Sequence, residues 1–242
     1  MPSPASPIAD LTYRNYDGPL APPVYRWWPI AKMSMRMAVK KRAFWVLGVL
    51  SGWWFLILSA IFYFAEVTSP NAEAEKKFFQ TVVWKDQFLD GFARSQIFLL
   101  LLALLIGVGA IANDNRANAL LVYLSKPTTK LDYLIGKWLG IFIPMMCVVA
   151  APTLLFFAYC ALSYRQYGIL SDDPWLIVKL LALCPVAAFF HASVSLGISS
   201  LFDQGRTAGA IYAGLYFMTF IFTGAIGAAR RIGHETGTLI NT

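Results

Sequence analysis

Hydrophobic residues fall into five long windows that are separated by polar connections. The windows cover residues 43–65, 95–112, 138–162, 180–201 and 208–229. Each is long enough to cross the roughly 30 Å hydrocarbon core of a bilayer as a helix. The pattern predicts five visible spans in one all-α transmembrane domain, residues 43–242.

Two segments of different character precede the first window. Residues 1–23 are rich in Pro, Ser and Ala, which predicts a flexible cytoplasmic arm. Residues 24–42 place Ile30, Met33 and Met37 near one face of a helix, with basic residues on the other. Basic residues opposite Trp and Met suit a helix in the headgroup plane. We predict an interfacial amphipathic helix here; the alternative is a plain cytoplasmic extension of the first span.

The connection between the second and third windows has a helical pattern of its own. Three Asn and Asp residues that favour helix starts come first, and Leu121 and Leu124 follow at helical spacing. Pro127 ends this helix because proline lacks an amide hydrogen. Thr128 or Thr129 can then cap a second helix that continues into the third window. The pattern predicts a helix, a proline break and a second helix.

One small and one basic residue follow that cap. Gly136 allows close helix packing, and Lys137 is expected to reach back to the lipid headgroups.

Composition and charge indicate the class and the orientation. The 242 residues are 58% hydrophobic and 14% charged, outside the range of a soluble globular domain. With the N-terminus in the cytoplasm, twelve of the 20 basic residues and five of the 13 acids lie inside, so the net charge of +7 is cytoplasmic. Lys40, Lys41 and Arg42 stand directly before the first window, and such residues favour the cytoplasmic side. The sequence predicts a multi-pass protein with a cytoplasmic N-terminus.

Five spans leave the tail from Arg230 outside the membrane, where the basic pair Arg230 and Arg231 fits poorly. Either the fifth segment does not cross fully, or a sixth span follows Thr242. We expect the sixth span.

Few residues have the spacing of a catalytic or metal site. Walker, HExxH, GxSxG and CxxC patterns are absent from the sequence, which argues against ATP hydrolysis, proteolysis and metal chemistry in this chain. His191 and Ser195 mark a possible intramembrane polar site. We expect a neutral His191 that hydrogen-bonds a neighbouring helix; a role in transport would instead favour a secondary transporter.

The connection carries an acid, a leucine, then Leu-Ser-x-Pro, a basic residue and Gly-Lys. The matching residues are Asp114, Leu120, Leu124, Ser125, Lys126, Pro127, Lys130, Leu134, Gly136 and Lys137. This pattern resembles the permeases of ABC-2 type ABC transporters. Asn118 and Ala119 depart from it, because the family usually has Gly-Thr there; Glu and Arg are also more usual than Asp114 and Lys130.

The resemblance implies an ABC-2 type permease bundle with six spans, in the bacterial inner membrane. Such permeases pair with a second copy or a paralogue, and each binds a separate cytoplasmic ABC ATPase that uses ATP and magnesium. The permease is then neither an enzyme nor a nucleic-acid binder, and family members mostly export. The alternatives are a secondary transporter and a structural membrane subunit without an ATPase.

The resemblance also makes the connection, residues 113–137, the coupling region that the ATPase grips. Charged residues would contact the ATPase surface, and leucines would anchor the helix in its groove. The candidate coupling residues are Asp114, Arg116, Leu120, Leu121, Leu124, Lys126, Pro127 and Lys130.

Overall fold

The computed structural model describes residues 25–119 and 129–240, with side chains through residue 229. These residues form helices and turns, and no strand occurs among them. The helices are α1 (Trp27–Val39), α2 (Arg42–Ser51), α3 (Trp53–Thr68), α4 (Ala72–Gln80), α5 (Trp84–Leu102), α6 (Ala112–Arg116), α7 (Lys130–Ser163), α8 (Leu176–Ser200) and α9 (Gly205–Ile240). A π-helical segment, Ala103–Gly107, follows α5, and a short 3-10 turn, Arg165–Tyr167, follows α7. The predicted all-α class is confirmed for the described residues.

Four continuous helical segments of the described chain are long and apolar enough to cross a membrane. They are Trp84–Arg116, Lys130–Ser163, Leu176–Ser200 and Gly205–Ala229. Helices α2 and α3 together make a fifth if this pair, bent by 42°, is one span.

The first predicted span is therefore not one straight helix. The break falls at Gly52, where a β-carbon would lie 2.7 Å from the Cβ of Pro152 on α7. Glycine is required at this position because α7 approaches the backbone so closely. The hydropathy of the window does not reveal this contact.

Helix α1 packs along the first turns of α7. Gly136 and Gly140 of α7 face α1, and a β-carbon at Gly136 would lie 2.7 Å from the Cβ of Ile30. Ile30, Ala31 and Ala38 form the buried stripe of α1. The prediction that Gly136 allows close packing is confirmed.

Two residues of the predicted apolar face, Met33 and Met37, are exposed on the surface of the protein. A helix in the headgroup plane turns its apolar face to lipid, so this exposure does not contradict the prediction. Small side chains form much of the contact between α1 and α7, because glycine and alanine let two helix backbones approach closely. The longer methionines lie outside this contact. The position of α1 in the headgroup plane stays a prediction.

The end of the bundle away from the connection is closed by an aromatic cluster: Phe55, Phe62, Phe79, Trp84, Phe88, Phe156, Tyr164 and Tyr167. Helix α4, which begins at its Asn71 cap, contributes the fully buried Phe79. The ring centroid of Phe79 lies 4.5 Å from that of Tyr164 and 4.7 Å from that of Tyr167. Stacked and edge-to-face rings at these distances add to the stability that their burial provides.

Candidate functional site

The span that leads into the connection loses its regular helical winding before it ends. In the π-helical segment the amide of Val108 donates to the carbonyl of Ala103, 3.1 Å away. Such a segment shifts the backbone pairing by one residue, which changes the partners of nearby carbonyls. The carbonyl of Leu105 accepts a hydrogen bond from Nζ of Lys41 at 2.6 Å. A lysine between α1 and α2 thereby holds the irregular part of the second span.

A serine from another helix caps the start of α6. The amides of Ile111 and Ala112 both donate to Oγ of Ser199 on α8, each at 3.0 Å. The first amides of a helix lack partners within the helix, so this buried hydroxyl satisfies two of them. The Asn and Asp residues predicted to start this helix provide no side-chain cap.

An ion pair joins α6 to the first turns of α7. Nζ of Lys137 lies 2.7 Å from Oδ2 of Asp114, and the hydroxyl of Tyr133 donates to the same oxygen at 2.8 Å. Lys137 is only 5% exposed. The prediction that Lys137 reaches the headgroups is therefore wrong. A carboxylate stands within reach, and pairing removes the cost of an isolated buried ammonium.

A capping box starts α7. The amide of Asp132 donates to Oγ1 of Thr129 at 3.1 Å, and the amide of Thr129 donates to Oδ2 of Asp132 at 3.0 Å. This reciprocal arrangement satisfies two amides at the helix start. Of the two predicted caps, Thr129 has this role. Thr128 lies outside the described residues.

Together these contacts form a polar joint, defined as Lys41, Asp114, Tyr133, Lys137 and Ser199. The joint borders a cavity of about 250 Å³ between α1, α6, α7 and the π-helical segment. Helix α9 also reaches it, since a β-carbon on Gly205 would lie 3.1 Å from the Cα of Gly109. The two ends of the connection are thus held at one point in the bundle.

The candidate coupling residues divide into three groups. Asp114 is engaged within the chain by Tyr133 and Lys137, so less of its carboxylate is available to a partner than the sequence predicted. Arg116 and Lys130 are exposed at the two ends of the connection. The remainder lie outside the described residues: Leu120, Leu121, Leu124, Lys126 and Pro127.

His191 links three helices. Its Nδ1 lies 2.5 Å from the hydroxyl of Tyr212 on α9, and its Nε2 lies 3.3 Å from Oε1 of Gln96 on α5. Ser195 instead donates to the carbonyl of Ala192 at 3.3 Å. The histidine and this serine therefore have separate partners, and no serine–histidine hydrogen bond forms.

The cysteines and acids do not assemble into a site. Cys147, Cys160 and Cys184 are free thiols. Within residues 25–119 and 129–229, no group of three or more His, Cys, Asp or Glu side chains is positioned to hold a metal ion.

Sequence reasoning missed the contact between Lys41 and Leu105 and the cap by Ser199. The sequence signal for Ser199 was its place among several serines in the fourth span. That spacing does not show which neighbouring backbone has amides without partners. The identity of that backbone depends on the packing of α8 against α6.

Comparison with known proteins gives one family match. Residues 28–236 match the family model described as ABC-2 family transporter protein. No curated protein matches the chain. The matched range includes the described spans and the whole polar joint.

Proposed function

The chain belongs to the ABC-2 family of transporter proteins as a multi-pass permease, and from that premise we propose that it is the membrane subunit of an ATP-driven exporter. A separate cytoplasmic ABC ATPase, which binds ATP and magnesium, drives it through the connection between the second and third spans. The permease pairs with a second copy or a paralogue in the bacterial inner membrane, with its N-terminus in the cytoplasm.

The ion pair between Asp114 and Lys137 is the observation that carries this proposal. An element that transmits force must be fixed to the parts that it moves. The pair joins the end of the second span to the start of the third at 2.7 Å, beside the cap by Ser199. A push on the connection then moves two spans together, as a rigid-body change between inward- and outward-facing states requires.

The proposed contacts with the ATPase follow from what each residue is free to do. Arg116 and Lys130 are exposed and suit acidic groups on the partner, as does Lys126. Leu120, Leu121 and Leu124 are the proposed apolar anchors, and we expect Pro127 to end the helix that the sequence predicts for them. We assign Asp114 the role of positioning the connection rather than contacting the partner.

The test is co-purification of the full chain from its native host in mild detergent. We expect an ABC ATPase subunit to accompany the wild-type protein. Leu124→Asp should remove that subunit, because a charge in an apolar groove is costly. The matched control is Leu170→Asp, since Leu170 is partly exposed in the turn that follows α7, outside the connection. Retention of the ATPase by the Leu124 variant would contradict the coupling assignment.

A secondary transporter is the second candidate, and a structural subunit without an ATPase is the third. The second candidate rests on the buried position of the ionisable His191 within a span, because such groups often serve ion-coupled transport. Its hydrogen bonds to Tyr212 and Gln96 fit the structural role expected from the sequence. The secondary transporter is correct if no ABC ATPase accompanies the wild-type protein, if transport follows a proton gradient, and if His191→Gln abolishes that transport.

A further inference from the structure

Arg94 is an exposed cation on α5 that has no carboxylate partner among the described residues. Its guanidinium carbon lies 3.8 Å from the ring centroid of Trp54 on α3. Within the described residues the ion pairs are those of Lys137 with Asp114 and of Lys179 with Asp173. Contact with the face of an aromatic ring stabilises the cation and leaves the N–H groups at the guanidinium edge available to a ligand.

A cavity of about 360 Å³ lies beside this arginine, between α3, α5 and α9. This volume falls within the usual range for small-molecule sites, about 300–1,000 Å³. Arg94 is its one charged lining residue. The apolar walls include Trp53, Ile97, Phe98, Phe217 and Phe220.

This part of the bundle has an excess of hydrogen-bond donors. The indole nitrogen of Trp54 is buried and has no acceptor among the described residues. The guanidinium above it carries five N–H groups. Trp54 does not line the cavity, so the guanidinium is the donor that an anionic acceptor in the cavity would meet.

The depth of Arg94 in the span indicates what kind of molecule would carry such an acceptor. Arg94 directly precedes the apolar window 95–112, and this window ends at the connection that carries Arg116. The hydrocarbon core is about 30 Å thick. The guanidinium therefore lies near the headgroup boundary remote from the connection, while Phe217 and Phe220 offer apolar surface beside it.

We propose that this cavity binds an amphipathic anion, with a phosphate or carboxylate at Arg94 and the apolar part along the aromatic walls of α9. A planar guanidinium suits these groups because it can donate two parallel hydrogen bonds to them. The anion comes either from a membrane lipid or from a free amphiphile. The site does not depend on the proposed ATPase, so it can be tested without nucleotide.

The experiment measures anion binding to the full chain in a neutral maltoside detergent by native mass spectrometry. The two probes are phosphatidylglycerol and dodecyl phosphate, added separately. We expect Arg94→Gln to weaken binding at least about tenfold and Arg94→Lys to weaken it less. Ala93→Trp, which keeps the arginine and fills the cavity, should also weaken binding. The matched control is Lys85→Gln, an equal loss of charge on the same helix outside the cavity.

The outcomes are distinct. If the Arg94→Gln variant loses binding of phosphatidylglycerol alone, the site is assigned to a lipid headgroup. If it loses binding of dodecyl phosphate alone, the site is assigned to a free amphiphile. Loss of both supports the shared anion chemistry. Unchanged binding of both probes by the Arg94→Gln and Ala93→Trp variants overturns the proposal. An equal loss in the Lys85→Gln control also overturns it, because general charge rather than this cavity would then explain binding.

Discussion

The polar joint and the aromatic cluster hold opposite ends of the same bundle by different means. At the joint, single atoms meet at defined distances, such as Lys137 Nζ and Asp114 Oδ2 at 2.7 Å. In the cluster, rings such as Phe62 and Phe79 pack with centroids 5.7 Å apart, and Tyr167 adds a hydrogen bond to Glu75 at 2.6 Å. That bond raises the pKa of Tyr167, since the protonated phenol donates a hydrogen bond to Glu75 and would lose it on ionisation.

The difference concerns how each end responds to a displacement. Apolar burial is non-directional and falls gradually as surface is exposed. A buried charge pair depends on geometry, and it becomes costly when one partner is lost. The aromatic cluster therefore suits an end of the bundle at which the helices stay fixed. The polar joint suits an end at which the helices can take two distinct arrangements.

The largest expected effect is a loss of stability at the aromatic end. Phe79→Ala removes a fully buried ring and should lower the free energy of unfolding by about 3–5 kcal/mol. Thermal unfolding in detergent measures this. The neighbouring Phe78 is 37% exposed, so Phe78→Ala should cost clearly less. If the two variants unfold alike, the cluster is not the fixed end that its packing indicates.

A smaller loss of stability, with a loss of coupling, is expected at the joint. Asp114→Ala leaves Lys137 buried without its carboxylate and should cost about 3 kcal/mol. The second substitution Lys137→Met should recover most of this loss, because an apolar side chain needs no partner. Under the proposed function, neither the single nor the double variant should show transport-coupled ATP hydrolysis in reconstituted vesicles. Wild-type stability and coupling in Asp114→Ala would show that the ion pair has no such role.

The smallest of the three effects is expected at the serine cap. Ser199→Ala leaves the amides of Ile111 and Ala112 without their acceptor and should cost about 1–3 kcal/mol. The adjacent Ser200 is exposed and bonds to Gly197 of its own helix, so Ser200→Ala is the matched control. Faster amide hydrogen exchange at residues 111–112 in the Ser199 variant alone is the expected result. Equal exchange in both variants would contradict the cap.

Particular residues show how far prediction from the sequence extended. The cap at Thr129 was predictable because a capping box is local: its acceptor and donor are three residues apart. The role of Gly136 was also predictable, since small residues recur where membrane helices meet. The residues of α1 that contact α7 were not predictable, because Met33 and Ile30 are both apolar and only the neighbouring helix decides which of them is buried.

The candidate site was predicted less completely than the spans. Asp114 was predicted to contact the ATPase, whereas the structure pairs it with Lys137, which was expected at the headgroups. A sequence gives no distance between two charged residues that are 23 positions apart. The proline and leucines of the connection lie outside the described residues, so their coupling role stays a prediction.

The sequence by itself determined the class and the approximate positions of the apolar helices, and it narrowed the cap of α7 to two threonines, because hydropathy and capping act over short stretches of chain. The tertiary structure decided which polar groups meet: Lys41 with Leu105, Lys137 with Asp114, Ser199 with the start of α6, and Arg94 with Trp54. Each pair joins residues that are far apart in the sequence, on different helices or on the turn between α1 and α2. Their contact depends on how those helices pack, and hydrophobic periodicity along one helix does not encode its neighbour.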